Sequence, residues 1–227
     1  MKIGILQTGH TPEAMLPDHH DYGQLFIDLL GTEPFTFQIW SIVDGDFPNG
    51  PQDADGWLIT GSRHGAYDDL PFIPPLEELI RAIYAADRPL VGICFGHQII
   101  AQALGGHVEK FSGGWNVGAK SYDWQGKTVT LNAWHQDQVT RLPADAEVVA
   151  ANDNCAYAVL RYGNRAFTVQ AHPEFQASFV EGLARTRGPG VVPDALLAEA
   201  IAGLQTPTDN AHLATQIRHF FTERELL

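Results

Sequence analysis

The stretch that most constrains the fold of this chain covers residues 88–106, where an apolar segment turns directly into a helical pattern. Residues 89–93 are continuously apolar, which is typical of a strand covered on both faces of a parallel sheet. After Cys94, apolar residues recur at helical spacing until Gly105 and Gly106 end the pattern. The sequence therefore predicts a sharp strand-to-helix turn with a thiol at its apex.

The residues around Cys94 predict a reactive thiol. Gly92 and Gly96 complete the pattern G-x-C-x-G, the thiol counterpart of the nucleophile elbow of hydrolases. Glycine fits these two positions because such a turn leaves little room for a Cβ atom. At a helix N-terminus, unpaired backbone N–H groups and the helix dipole favour the thiolate over the thiol. We therefore expect a nucleophile here; the alternative is a buried structural cysteine.

The residues before this turn alternate between strand and helix patterns. Strand-like and helical patterns follow one another at residues 3–7, 20–31, 35–43, 57–60 and 76–83. This order is typical of a parallel sheet built from strand-helix-strand units. Ligands of such sheets gather at the carboxyl ends of the strands, so loop 61–65 should lie near Cys94. Gly61 is a candidate oxyanion donor through its backbone N–H; the alternative is a simple turn glycine.

The residues after Gly106 predict an antiparallel portion and closing helices. Short strands separated by turn signals are predicted at residues 128–131, 134–139, 147–151, 156–162 and 166–171. Helices are predicted at residues 177–185, 195–204 and 211–225. The fold class is therefore α/β: a mixed, mostly parallel central sheet flanked by helices, flavodoxin-like or α/β-hydrolase-like, plus the antiparallel portion. With no visible linker, we expect a single domain over 1–227, with 188–227 as a C-terminal helical extension.

The tripeptide His172-Pro173-Glu174 follows the last predicted strand. A histidine at a strand end can reach a neighbouring elbow, and a carboxylate two residues later can orient its ring. Pro173 restricts His172 to extended geometry. Alone, the tripeptide also suits a surface histidine before a helix; beside a cysteine elbow, it predicts a catalytic base.

Composition excludes several classes of function. The net charge of −13 argues against binding to a nucleic-acid backbone, which needs clustered Lys and Arg. No apolar stretch has membrane-spanning length, and the apolar run at the amino terminus is too short for a signal peptide, so we expect a cytoplasmic protein. Cys94 and Cys155 do not form a disulfide framework. The histidines lack the spacing of a helical zinc site, so we expect no catalytic metal.

With these motifs in place, the sequence resembles the class I (triad) glutamine amidotransferases. Their elbow motif G-I-C-x-G-x-Q is matched by residues 92–98, and their H-P-E motif by residues 172–174. The resemblance extends from Met1 to about Arg187 and implies a Cys94, His172 and Glu174 triad. It also implies an oxyanion hole from Gly61 and Phe95. The resemblance implies three substrate-binding residues: Gln98, His135 and Gln136. The last two lie in the segment Trp-His-Gln-Asp, where the family often has Ser-His-Gly-Asp.

The implied reaction is hydrolysis of the glutamine side-chain amide through a γ-glutamyl thioester, without a cofactor. The chain looks most like stand-alone relatives of the glutaminase half of GMP synthetase. Either a separate synthetase subunit uses the ammonia, or the protein is a free-standing hydrolase acting on glutamine or another γ-glutamyl compound. Two alternatives stay open. The first is a γ-glutamyl peptidase, which would release an amine larger than ammonia. A wide pocket around His64, Tyr67 and Trp134 would favour this alternative. A non-catalytic partner or sensor would keep only the fold.

Overall fold

A nine-stranded sheet forms the centre of the computed structural model, which describes residues 1–227. The strands are β1 (Lys2–Gln7), β2 (Thr36–Ser41), β3 (Gly56–Ile59), β4 (Leu90–Ile93), β5 (His107–Lys110), β6 (Asn116–Trp124), β7 (Lys127–His135), β8 (Asp137–Arg141), β9 (Glu147–Asn152), β10 (Cys155–Tyr162) and β11 (Ala166–Val169). The helices are α1 (Tyr22–Leu30), α2 (Ile73–Ala85), α3 (Phe95–Ala103), α4 (Ala177–Thr186), α5 (Asp194–Ala202) and α6 (Asn210–Glu223).

The sheet has a parallel half and an antiparallel half. Its strand order is β2-β1-β3-β4-β11-β10-β9-β6-β7, with β5 and β8 paired in a separate two-stranded sheet. The first five strands of the order are parallel, and the pairings from β11 to β7 are antiparallel. The fold-class prediction is confirmed. In the parallel half, the carboxyl ends of β3, β4 and β11 meet at one edge, where an open α/β sheet places its ligands.

Alternation along the strands divides the core between the two faces of the sheet. In β4, Val91 and Ile93 belong to one apolar cluster and Leu90 to the other. Helices α1 and α6 cover the first face, and helices α2 and α3 cover the second. Both faces of β4 are therefore buried, which explains its continuously apolar sequence. None of the helices has the length and hydropathy that crossing a membrane requires.

One predicted strand boundary is wrong. The sequence predicts separate strands at 128–131 and 134–139, whereas β7 runs unbroken from Lys127 to His135 and the break falls at Gln136. The reason is tertiary: β6 pairs with β7 along its whole length, from Asn116 opposite His135 to Trp124 opposite Lys127. This ladder fixes His135 at the end of β7, and the chain then moves to the small sheet.

Candidate active site

The turn from β4 to α3 has the geometry of a nucleophile elbow. Cys94 has φ 54° and ψ −103°, a strained conformation for a residue with a side chain. Its N–H donates to the Val169 carbonyl oxygen of β11 at 2.9 Å, which holds the apex against the sheet. A Cβ at Gly92 would lie 2.5 Å from the Gly96 carbonyl oxygen, and one at Gly96 would lie 2.3 Å from that of Ile59. Glycine is therefore required at both flanking positions.

The residues after β11 hold a buried histidine in a fixed orientation. The His172 N–H donates to the Asn132 carbonyl oxygen at 2.8 Å, and the Nδ1–H donates to Glu174 Oε1 at 2.7 Å. The Phe175 ring stacks on the imidazole, with centroids 3.9 Å apart and planes 3° from parallel. Both His172 and Glu174 are buried. The hydrogen bond to Nδ1 leaves Nε2 as the free nitrogen of the ring.

Cys94 and His172 meet beside Gly61. A Cβ at position 61 would lie 2.9 Å from His172 Cε1 and 3.7 Å from Cys94 Cβ, so both side chains approach this backbone closely. Burial lowers the pKa of His172, but the negative charges of a Cys94 thiolate and of Glu174 outweigh it and raise that pKa to about 10. The surroundings therefore favour an imidazolium beside the sulfur.

The two predicted oxyanion donors both have backbone N–H groups without a partner in the protein. The Gly61 N–H donates to no acceptor within the protein. Phe95 is the first residue of α3, so its N–H has no helical carbonyl to bind. The structure thus brings Gly61, Phe95, Cys94, His172 and Glu174 together.

A cavity of about 460 Å³ opens beside Cys94 and His172. Three predicted substrate-binding residues line it: Gln98, His135 and Gln136. The Gln98 amide donates to the Asp137 carbonyl oxygen at 2.7 Å and to Gln170 Oε1 at 3.1 Å, so its N–H groups are occupied by the protein. Gln98 therefore holds the chain after β7 in place, and its N–H groups are not free for a ligand.

His135 is a buried, unpartnered polar group in the wall of this cavity. Neither of its ring nitrogens has a hydrogen-bond partner in the protein. Burial lowers the pKa of His135 to about 3, and the neighbouring charge of His172 acts in the same direction. The ring is therefore neutral, with one N–H donor and one acceptor nitrogen.

Several residues of the site carry no motif that the sequence reveals. The Phe175 carbonyl oxygen accepts hydrogen bonds from Asn132 of β7 at 2.9 Å and from Asn210 of α6 at 3.1 Å. These two amides fix the turn that carries His172 and Glu174. The cavity wall also contains residues from distant segments: Tyr22, Ser62, Arg63, His64, Tyr67, Lys110, Trp115, Trp134, Asp137, Leu183, Arg187 and Val191.

Comparison with known proteins identifies a matching family model and similar chains. The family model "Glutamine amidotransferase class-I" matches residues 46–181, more than half of the chain. A glutamine amidotransferase-like protein of Schizosaccharomyces pombe is 30% identical over 97% of this chain and 98% of its own. Gamma-glutamyl peptidase 3 of Arabidopsis thaliana is 29% identical over 68% of this chain and 69% of its own.

Solved structures show the same fold. The crystal structure of a glutamine amidotransferase from Methylobacillus flagellatus superposes with a TM-score of 0.76 at 23% identity, covering 98% of this chain and 92% of that one. This likeness concerns the arrangement of strands and helices. The family model and the Schizosaccharomyces pombe relative lead to one conclusion: this chain belongs to the class I glutamine amidotransferase family.

Proposed function

We propose that this protein hydrolyses γ-glutamyl amides, with Cys94 as the nucleophile and His172 as the general acid and base. One observation carries the proposal: a strained cysteine elbow meets a buried histidine that Glu174 holds through a 2.7 Å hydrogen bond. Each group suits its role, because a thiolate attacks carbonyl carbon readily and an oriented imidazole can move the protons.

The proposed reaction has two steps. Cys94 Sγ attacks the γ-carbonyl carbon, and the Gly61 and Phe95 N–H groups stabilise the oxyanion that forms. The C–N bond breaks as the His172 imidazolium protonates the leaving amine. In the second step, neutral His172 takes a proton from water, and the hydroxide attacks the thioester carbon. Glutamate leaves, and the thiolate and imidazolium are restored.

Glu174 and Phe175 serve as positioning residues in this scheme. Glu174 fixes the tautomer through Nδ1, which points Nε2 towards the reacting atoms. Phe175 restricts rotation of the imidazole by stacking on it. His135 and Gln136 remain the proposed contacts to the glutamyl group, since both line the cavity and His135 has unused ring nitrogens.

The cavity favours an amine larger than ammonia as a second candidate leaving group. Its volume of about 460 Å³ falls within the range of about 300–1,000 Å³ found for sites of drug-sized ligands, more room than glutamine needs. Trp115, Trp134 and Val191 give part of the wall an apolar surface. A γ-glutamyl peptide or related amide would fill this space. Glutamine itself remains the first candidate substrate, and its hydrolysis would yield ammonia for a separate synthetase subunit.

We also propose that residues 1–227 act as one domain. Two contacts from the closing helices support this. Asn210 of α6 bonds the turn that carries His172, and a Cβ at Gly118 of β6 would lie 3.0 Å from Ala200 of α5. Residues 188–227 are in this view part of the catalytic unit.

Glutamate release from glutamine and from γ-glutamyl-phenylalanine, with wild type and Cys94→Ala, tests the function. We expect the substitution to reduce kcat by about 10³-fold or more, because no other group can form the thioester. Cys155→Ala is the matched control: burial raises the pKa of that second buried thiol to about 12, so it stays protonated.

The outcomes separate the candidates. Hydrolysis of glutamine selects a glutaminase, and hydrolysis of the peptide alone selects a γ-glutamyl peptidase. Undiminished turnover by Cys94→Ala would reject the role of this thiol. No turnover of either compound by wild type supports the remaining alternative, a non-catalytic protein that has kept the fold.

A further inference from the structure

Two arginines face the active-site cavity without a carboxylate partner. Arg63 follows β3 and Arg187 ends α4, and both line the cavity. Neither forms an ion pair within 4 Å, although the chain carries 27 Asp and Glu against 14 Lys and Arg. Two guanidinium groups without a carboxylate partner leave positive charge at the cavity wall, which suits an anion.

Arg63 and Arg187 line the same cavity as His64, and the charges of both act on that ring. Arg63 Nε–H approaches His64 Nε2 at 3.5 Å. Burial lowers the pKa of His64, the charges of Arg63 and Arg187 lower it further, and the charge of Asp68 acts in the opposite direction. His64 is consequently neutral at physiological pH and adds no positive charge of its own. We call Arg63, His64 and Arg187 the arginine corner.

Arg187 is held in position but keeps free donors. Its Nη2 donates to the His10 carbonyl oxygen at 3.0 Å, and its Nη1 donates to the Tyr22 hydroxyl at 3.4 Å. Both acceptors are neutral, since burial raises the pKa of Tyr22 to about 12. A guanidinium has five N–H donors, so three remain. A fixed fork of this kind suits a carboxylate, which it can bind through two parallel hydrogen bonds.

The other charged groups of the wall do not neutralise this corner. Lys110 lies opposite Asp137 in the paired strands β5 and β8, so these two charges face each other. Asp68 Oδ2 accepts the Gly65 N–H at 2.8 Å, and Asp68 forms no ion pair with Arg63, although its charge also acts on His64. Two guanidinium charges against this one carboxylate leave the arginine corner with a net positive charge.

We propose that the arginine corner binds a carboxylate of the substrate and thereby selects γ-glutamyl compounds by charge. The inference rests on the proposed hydrolysis of γ-glutamyl amides. Two carboxylates share the required chemistry: the α-carboxylate of the glutamyl group, and the carboxylate of an amino acid that leaves as the amine. If the arginine corner binds the carboxylate of the leaving amino acid, the protein is a dipeptide hydrolase and differs from enzymes whose leaving amine is uncharged.

The test compares three substrates: γ-glutamyl-phenylalanine, its analogue with the phenylalanine carboxylate converted to carboxamide, and its analogue with the glutamyl α-carboxylate converted to carboxamide. KM and kcat are measured for wild type, Arg63→Gln, Arg187→Gln and Arg187→Lys. Arg185→Gln is the matched control, because Arg185 lies on the same helix, is exposed and pairs with Glu181.

We expect Arg187→Gln to raise KM for the dipeptide by about 10- to 100-fold, the effect of losing a charge-assisted hydrogen bond. Arg63→Gln should act in the same direction, and Arg187→Lys should recover part of the loss. The analogue that lacks the bound carboxylate should bind wild type weakly and show no further loss in the variants. The analogue that behaves in this way shows which carboxylate binds the arginine corner.

Equal effects of the variants on all three substrates, or no effect, would overturn the proposal. Loosening of the contacts to His10 and Tyr22 would act on every substrate alike, so the substrate ratio distinguishes charge recognition from structural damage. If wild type hydrolyses none of the compounds, the proposed function fails separately. Calorimetric binding of the same three compounds to Cys94→Ala, with and without Arg187→Gln, then decides the carboxylate proposal by the same comparison.

Discussion

At the scale of single residues, His172 is the group on which opposing influences converge. Burial disfavours its charged form, whereas Cys94 and Glu174 stabilise that form and raise the pKa to about 10. The folded-state pKa therefore lies above the ordinary value of about 6.5. A group of this kind stabilises the fold fully below about pH 6.5, and the contribution disappears as the pH rises to about 10.

The upward shift of the His172 pKa predicts how the stability of the protein changes with pH. The difference in free energy of unfolding between wild type and His172→Gln should decrease steadily from about pH 6.5 to about pH 10, because the unfolded chain loses its proton above about pH 6.5 while the folded protein keeps the imidazolium until about pH 10. Chemical denaturation at several pH values measures it. Glu174→Gln removes one of the two charges that raise the pKa, so the decrease should then end at a lower pH. A difference that stays constant or grows with pH would contradict the assignment.

At the scale of elements, the β4–α3 elbow depends on two backbones packing without side chains between them. The Gly96 Cα lies against the end of β3, where a Cβ would be 2.3 Å from the Ile59 carbonyl oxygen. Backbone on both sides cannot rotate away as a flexible side chain could. The elbow and the neighbouring strand must therefore separate if a larger residue is inserted.

We predict that Gly96→Ala lowers the free energy of unfolding by about 1–3 kcal/mol and reduces glutamate release, because the overpacked elbow displaces Cys94. Thermal unfolding and the kinetic assay measure the two effects. Gly203→Ala is the matched control, since a Cβ there would lie 3.4 Å from its nearest neighbour and φ is −86°. Equal stability of the two alanine variants would show that the elbow has more room than its geometry implies.

At the scale of the whole molecule, the last helix belongs to the main core. Leu213, Ile217, Phe220 and Phe221 of α6 pack in the same apolar cluster as Phe26 of α1 and the strands. The helix begins at Asn210, whose amide bonds the turn after His172. The C-terminal segment thus contributes both to stability and to the geometry of the site.

We predict that Phe220→Ala, which truncates a fully buried ring, lowers the free energy of unfolding by about 3–5 kcal/mol. Denaturant unfolding measures this loss. Glu223→Ala on the exposed side of the same helix is the control and should change stability by less than about 0.5 kcal/mol. A small effect of Phe220→Ala would indicate that α6 is an appendage to an independently stable core.

The sequence by itself determined the local features of the site. The apolar run into Cys94, the glycines at 92 and 96, and the His172-Pro173-Glu174 tripeptide predict an elbow with an oriented histidine nearby. These features are readable because they depend on neighbours along the chain: strand burial, room at a tight turn, and a carboxylate two residues from a ring. The geometry agrees at each of these positions.

The tertiary structure alone decided what surrounds that local chemistry. Asn210 supports the His172 turn from 35 positions beyond Phe175, and Arg63 and Arg187 line one cavity although they are far apart in the sequence. The boundary of β7 likewise follows its pairing with β6 and not its own pattern. The physical reason is the same in each case. Such contacts depend on how the sheet twists and which loops meet at its edge, and residues far apart in sequence leave no periodic or local signal of meeting.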